Sequence, residues 1–148
     1  MADPKALYDS VVMDHIRNAR NYGAPAQFDR RAAGLNRLCG DELTVFVLLD
    51  GETLQYAHFE CACCGVSMAS ASIMTDLVGG RPLAEVARLV DSTIATLKAG
   101  GADAQTAEPS DHQALLAAMR EFPARLNCAM LPWRTLEAAL AGHTEVTV

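Results

Sequence analysis

Asp50-Gly51 lies between two runs of β-forming residues, 43–49 (LTVFVLL) and 53–61 (TLQYAHFEC). Asp-Gly in that setting is a strong hairpin signal, because glycine supplies the positive φ that a tight turn needs. A hairpin constrains a chain heavily, since it also aligns whatever flanks its two strands. With Asp50-Gly51 as the loop, Leu49 pairs with Glu52, Gly40 faces Cys61 and Cys39 faces Ala62. The open end then brings Cys39 and Asp41 beside the stretch 60–65 (ECACCG). Three of the chain's five cysteines fall within four consecutive residues there. A bulge would shift this register by one residue.

Helices are expected on both sides of the hairpin. Leu7, Val11, Val12 and Ile16 recur at helical spacing and predict a helix over 4–17. Residues 18–38 contain Gly23, Pro25 and Gly34 and read as loop with a short edge strand at most. After Gly65 the pattern turns helical, with Val66, Ile73 and Leu77 on one face. Small residues at 69–72 (ASAS) would let another backbone approach closely. Gly79-Gly80 stops that helix, and Pro82 suits the first turn of the next, over 83–90. Residues 99–110 read as a soft linker. Ser110 with Gln113 fits a capping box opening a helix to about Glu121. A last helix is expected over 132–141, with Cys128 just ahead of it. Strands segregated from helices predict an α+β fold, a small antiparallel sheet packed against several helices. A length of 148 residues, half of them hydrophobic, suits one domain over 1–148 with a core that needs no staples.

A formal net charge of -6 argues against nucleic acid as the main partner. The charge is uneven, however. From His15 to Cys39 there are five arginines (Arg17, Arg20, Arg30, Arg31, Arg37) against one acid, Asp29. That stretch would either dock an acidic protein surface or stand as a solvated loop. The polar N-terminus is no signal peptide, and no apolar run suits a membrane span, so a cytoplasmic protein without a membrane partner is expected. An odd number of clustered thiols in such a chain points to metal, catalysis or redox before structural disulfides.

Three thiols from separate segments stand at the ends of elements: Cys39, Cys64 and Cys128. A helix N-terminus lowers a thiol pKa, which would favour thiolates at Cys64 and Cys128. In an extended segment Cys39 and Asp41 point to the same side and can reach one ion. Three thiolates and a carboxylate suit zinc, or iron in a cluster. Two other readings stay open at this point. Free cysteine is often simple core. Cys61 and Cys64 also form a CxxC opening a helix, a redox arrangement, although the βαβ context of that motif is missing. His15, His58, His112 and His143 are expected to be structural or exposed, since none lies beside the thiols in sequence.

Four stretches, in order along nearly the whole chain, resemble the U-type iron–sulfur assembly proteins (the IscU/NifU N-terminal family), and most closely its SufU-like branch. They are 11–23 (VVMDHIRNARNYG), 38–54 (LCGDELTVFVLLDGETL), 64–81 (CGVSMASASIMTDLVGGR) and 122–140 (FPARLNCAMLPWRTLEAAL). The resemblance implies Cys39, Asp41, Cys64 and Cys128 as metal ligands. It places Cys61 and Cys63 outside the motif, where the family usually has glycine at the position of Cys63. Cys63 would then be an alternative ligand, a second sulfur acceptor or a tolerated small residue. By its position three residues before Cys128, Arg125 would be either a partner of Asp41 or of a thiolate, or an ordinary surface arginine. The histidine that the scaffold branch carries before its last cysteine is Asn127 here, and its Leu-Pro-Pro-Val-Lys motif is missing.

By resemblance, then, the expected activity is zinc-dependent sulfur transfer. The chain would accept persulfide sulfur from a SufS-like cysteine desulfurase and supply downstream iron–sulfur assembly proteins. Cys39 would be the attacking thiolate, freed when a histidine of the docked partner takes its place on zinc. The alternative is a scaffold on which a [2Fe–2S] cluster is built. Arg37 and Ala19 stand where the family commonly has proline, which bears on loop stiffness and partner choice.

Overall fold

The computed structural model describes residues 4–102 and 110–148. The chain runs α1 (Pro4–Arg17), β1 (Arg30–Asn36), β2 (Asp41–Asp50), β3 (Thr53–Ala62), α2 (Gly65–Val78), β4 (Arg81–Pro82), α3 (Leu83–Lys98), α4 (Asp111–Ala118), a 3-10 turn (Pro123–Arg125), α5 (Leu126–Leu140) and β5 (Glu145–Thr147). The strands form one sheet in the order β4-β3-β2-β1-β5. Its pairings are antiparallel except β1 with β5, which is parallel. The α+β expectation holds, with a mixed sheet in place of a purely antiparallel one.

The hairpin is present, in a different register. Asp50 pairs with Thr53, so the loop is Gly51-Glu52. Gly51 takes φ 60° at the first central position, the placement a type II′ turn favours. A bulge between Leu48 and Leu49 then shifts the register by a further residue, so Leu43 faces Cys61 and Glu42 faces Ala62. The bulge has a packing purpose. Leu54, Ala57 and Phe59 are all fully buried, although strict alternation would put Leu54 and Ala57 on opposite faces. One extra residue on β3 restores the phase.

Residues 18–38 hold more structure than a loop with an edge strand. β1 pairs with β2 over its whole length and with β5 at its outer edge. The missed signal is composition: RRAAGLN has little β-branched character. Gly34 shows what sets it, because a Cβ there would collide with Thr135 Oγ1 of α5. The glycine lets α5 lie directly on the strand. The outer edge of β3 is covered at one end by β4 and at the other by Asn21 to Gly23, with Gly23 N donating to Phe59 O at 2.7 Å.

α2 and α5 cover the inner face of the sheet, and α5 buries Trp133 completely. The Trp133 indole N–H donates to Ser70 Oγ at 3.0 Å, and Ser70 Oγ donates to Ala129 O at 2.6 Å. The small residues of α2 permit this approach, as expected. α1 and α4 pack on α2 through His15, whose ring nitrogens lie 2.6 Å from Ser72 Oγ and 2.7 Å from Asp111 Oδ2. The capping box of α4 forms, with Ser110 and Gln113 each bonding the other's backbone.

Two helices run longer than expected. α3 continues to Lys98, with Val86, Val90, Ile94 and Leu97 buried at helical spacing and Pro82 outside as N-cap. α5 starts at Leu126, so Cys128 lies in its first turn and Pro132 in its interior. The part of the expected linker at 103–109 lies outside the described residues. Among the described residues no helix is long and apolar enough to cross a membrane.

Candidate metal centre

Three element ends meet at the open end of the hairpin. The turn 37–40 joins β1 to β2, with Gly40 at φ 70°. It presents Leu38, 86 % exposed, and the exposed thiol of Cys39. Asp41 opens β2 and is 3 % exposed. Cys64 is the half-buried N-cap of α2, and Cys128 is buried in the first turn of α5.

The side chains converge. Cys128 Sγ lies 3.5 Å from Cys39 Sγ. Two sulfurs each about 2.3 Å from a tetrahedral zinc stand roughly 3.8 Å apart, so this spacing fits a shared ion. The donor atoms of Cys39, Asp41 and Cys128 all lie within 4.8 Å of one another. Cys64 does not join that mutual group, but its backbone N–H donates to Asp41 Oδ1 at 2.9 Å. Its thiol donates to Ser67 Oγ at 3.6 Å. The donor set therefore fits a thiophilic cation. Burial pushes the Cys128 thiol well above its ordinary value, and the neighbouring Cys39 and Cys64 thiols and Asp41 add to the effect. A buried thiolate there needs a positive charge beside it.

Two residues that sequence reasoning missed organise this cluster. Ser67 Oγ lies 3.2 Å from Asp41 Oδ2 and 3.0 Å from Cys128 O. The second contact has a local cause. Pro132 has no N–H, so the Cys128 carbonyl lacks its helical donor four residues on. The Ser67 hydroxyl serves as the replacement. The available signal was Ser67 itself, three residues after a helix-opening cysteine. The other is Asn36, 1 % exposed at the end of β1, whose Nδ2 donates to Cys128 Sγ at 3.7 Å.

Arg125 is exposed in the 3-10 turn, and the Cys64 N–H donates to Asp41 Oδ1. Two other expectations resolve differently. Cys63 is no free thiol: it is disulfide-bonded to Cys61, which leaves Cys64 outside the expected CxxC pairing. The five arginines do not form one patch. Arg20 is held by Asp14 at 2.9 Å. Arg30 and Arg31 begin β1, and Arg37 stands past its far end, beside Cys39.

A second group of potential ligands, Asp14, His15 and Asp111, lies between α1 and α4. Ser72, His15 and Asp111 even have the order of a nucleophile, a base and an orienting acid. Ser72 is fully buried, however, and accepts from Arg20 N at 2.8 Å, so the cluster ties helices together. His112 is likewise structural, with Nε2 3.0 Å from Thr93 Oγ1 and its ring 5.4 Å from that of Trp133.

The fold and the site together define a small α+β protein with a thiol-rich site at the open end of a β-hairpin, walled by two helix N-termini. The chain belongs to the family of the NifU-like N terminal domain, whose profile matches residues 7–129. It is 35 % identical over 141 residues to the zinc-dependent sulfurtransferase SufU of Bacillus subtilis, covering 95 % of this chain and 93 % of that one. It is 26 % identical to the iron-sulfur cluster assembly scaffold protein IscU of Thermotoga maritima, over 92 % of this chain and 94 % of that one. Among solved structures, a SufU from Fervidobacterium islandicum, described as an assembly scaffold protein for the SUF system, superposes with a TM-score of 0.75 at 26 % identity. It covers 91 % of this chain and 97 % of that chain.

Proposed function

We propose that the protein is a zinc-dependent sulfur acceptor in iron–sulfur cluster assembly, in which Cys39 takes persulfide sulfur from a cysteine desulfurase. Cys39, Asp41, Cys64 and Cys128 would hold the ion, and zinc when bound would keep their thiols deprotonated near neutral pH. The observation that carries the reading is the graded exposure of the thiols: Cys39 is exposed, Cys64 half-buried and Cys128 buried. A docked partner meets Cys39 first. Its thiolate attacks the outer sulfur of the partner's persulfide, and the partner's thiolate leaves. Asp41, held by the Cys64 N–H and Ser67, keeps a hard oxygen in the set, which binds zinc less firmly than a fourth thiolate. Exposed Leu38 and Arg37 flank the acceptor and suit a partner surface with apolar and acidic groups. A cytoplasmic setting, with downstream iron–sulfur assembly proteins as recipients, completes the reading.

The second reading is a scaffold holding a [2Fe–2S] cluster on the same residues. It is favoured by the likeness to proteins named as IscU scaffolds. One experiment separates the two. Metal and acid-labile sulfide are measured in protein purified without oxygen, for wild type and Cys39→Ala, with a cysteine desulfurase assay on both. One zinc per chain, with desulfurase stimulation lost in Cys39→Ala, is the outcome expected for sulfur transfer. Iron and sulfide in equal amounts would replace that reading with the scaffold.

A further inference from the structure

The Cys61–Cys63 disulfide joins the end of β3 to the residue that precedes Cys64. The two Cα atoms are 5.4 Å apart, an ordinary spacing for a disulfide. Ala62 separates them, and residues i and i+2 of an extended segment share a side. The position of this pair is what makes it informative. Cys63 is bonded directly to the Cys64 amide, and that amide donates to Asp41 Oδ1 at 2.9 Å. Its Cα therefore stands about 3.8 Å from that of Cys64. Cys61 is pinned at its backbone. The Tyr22 hydroxyl lies 3.3 Å from its carbonyl oxygen and 3.4 Å from its nitrogen. Both cysteines are partly exposed. The pair staples nothing distant, because it closes a loop of one intervening residue, so loop-closure entropy gives it little stabilising role.

We propose that Cys61 and Cys63 are a dithiol that takes the sulfane sulfur from the metal site and releases it as sulfide. The proposal rests on the sulfur-acceptor reading above, and its chemistry balances in two steps. In the first, the Cys63 thiolate attacks the outer sulfur of a persulfide held on a site cysteine. The site S–S bond breaks, the site cysteine leaves as thiolate, and Cys63 carries the persulfide. In the second, the Cys61 thiolate attacks Cys63 Sγ. The bond from Cys63 to the sulfane breaks, hydrosulfide leaves, and the Cys61–Cys63 disulfide forms. Two thiols are oxidised by two electrons, and the sulfane is reduced from the zero-valent state to sulfide. The Cys61–Cys63 disulfide is the product such a turnover would leave. An external dithiol reductant would reopen it for the next cycle.

The test is a single turnover of zinc-loaded protein, fully reduced and then freed of reductant. A cysteine desulfurase loaded with persulfide and freed of cysteine serves as sulfur donor, so that loading itself releases no sulfide. Released sulfide is measured, and the protein is mapped by mass spectrometry after alkylation. Wild type is expected to release about one sulfide per chain and to close the 61–63 disulfide. Cys61→Ser is expected to stop with an extra sulfur on Cys63, and sulfide release should fall at least tenfold. Cys61→Ser/Cys63→Ser is expected to retain the sulfur on a site cysteine. If wild type takes up sulfur but releases no more sulfide than the double variant, the dithiol proposal is overturned and the acceptor reading stands. If neither protein takes up sulfur, the acceptor reading fails and the dithiol proposal falls with it. Mapping the 61–63 peptide of wild type decides the matter even where a variant folds poorly. An open dithiol after sulfide release also overturns the proposal.

Discussion

Asp41 Oδ1 accepts from the Cys64 N–H and Oδ2 lies 3.2 Å from Ser67 Oγ, and the carboxylate stands in a candidate ligand group with Cys39 and Cys128. Asp41→Ala removes a donor oxygen and also frees the N-terminus of α2 to shift. Zinc affinity is expected to fall by ~10-fold or more, by analogy with the loss of groups that orient metal ligands. Competition with a chromophoric chelator measures it, and unchanged affinity would remove Asp41 from the site. His112 offers a residue-scale test of the core. Burial lowers its pKa, so the folded state binds protons less readily than the unfolded chain. Stability from this residue is full above pH about 6.5 and is lost as pH falls from there through the folded value. Urea unfolding at pH 7.5 and 5.5 should show a smaller acid loss in His112→Gln than in wild type. At this scale, Cys39, Asp41 and Cys64 could be placed at element ends because the hairpin and the helix after Gly65 are local patterns, whereas the start of α5 around Cys128 was not legible. Nor were Ser67 and Asn36, since their partners come from other segments. The pairing of Cys61 with Cys63 was readable from strand alternation, but the CxxC spacing drew attention to Cys64 instead.

α5 shows how one element carries both packing and site. Pro132 in its interior leaves the Cys128 carbonyl without a helical donor, and Ser67 of α2 supplies one at 3.0 Å. Ser67→Ala alone is therefore expected to cost about 1–3 kcal/mol, the usual penalty for a buried acceptor left unpaired. Pro132→Ala restores an N–H in the helix, so the same serine change made in that background should cost less, by roughly 1 kcal/mol. Denaturant unfolding of the four proteins gives the coupling directly, and additive costs would refute this account of the carbonyl. The pattern that hid the start of α5 is the same proline. Its position suggested a helix beginning at 132, whereas the helix begins six residues earlier, at Leu126, and tolerates the proline because Ser67 repairs the break. The hairpin was legible for the opposite reason, being local, although the turn sits one residue later than Asp-Gly suggested. Its bulge answers to burial of Leu54 and Phe59 against α2, which no local pattern contains.

Across the whole molecule, segregation of strands from helices was enough to give the α+β class, whereas β1 and β5 depend on tertiary pairing that their sequences hardly announce. The consequence for function is that the site belongs to no single element. The turn after β1, the start of α2 and the first turn of α5 meet only in the folded chain, and Leu38 stands 86 % exposed at that meeting point. Leu38→Glu places a charge where an apolar partner contact is proposed. It should reduce desulfurase stimulation by ~10-fold, the effect of losing about 1.4 kcal/mol of docking, with zinc content unchanged. Metal removal tests the same convergence globally. An ion bound by three separate segments binds the folded chain and not the unfolded one, so its binding energy adds to folding stability. With free zinc at 100 times its dissociation constant the gain is about 2.7 kcal/mol. For a chain of this size that corresponds to roughly 5–10 °C in melting temperature. Chelation should lower the melting point by that amount and zinc should restore it. Cys128→Ala, lacking a buried ligand, should show a much smaller response. A melting temperature indifferent to chelator would mean that the three segments hold their geometry by packing alone, with the thiols meeting for a reason other than metal.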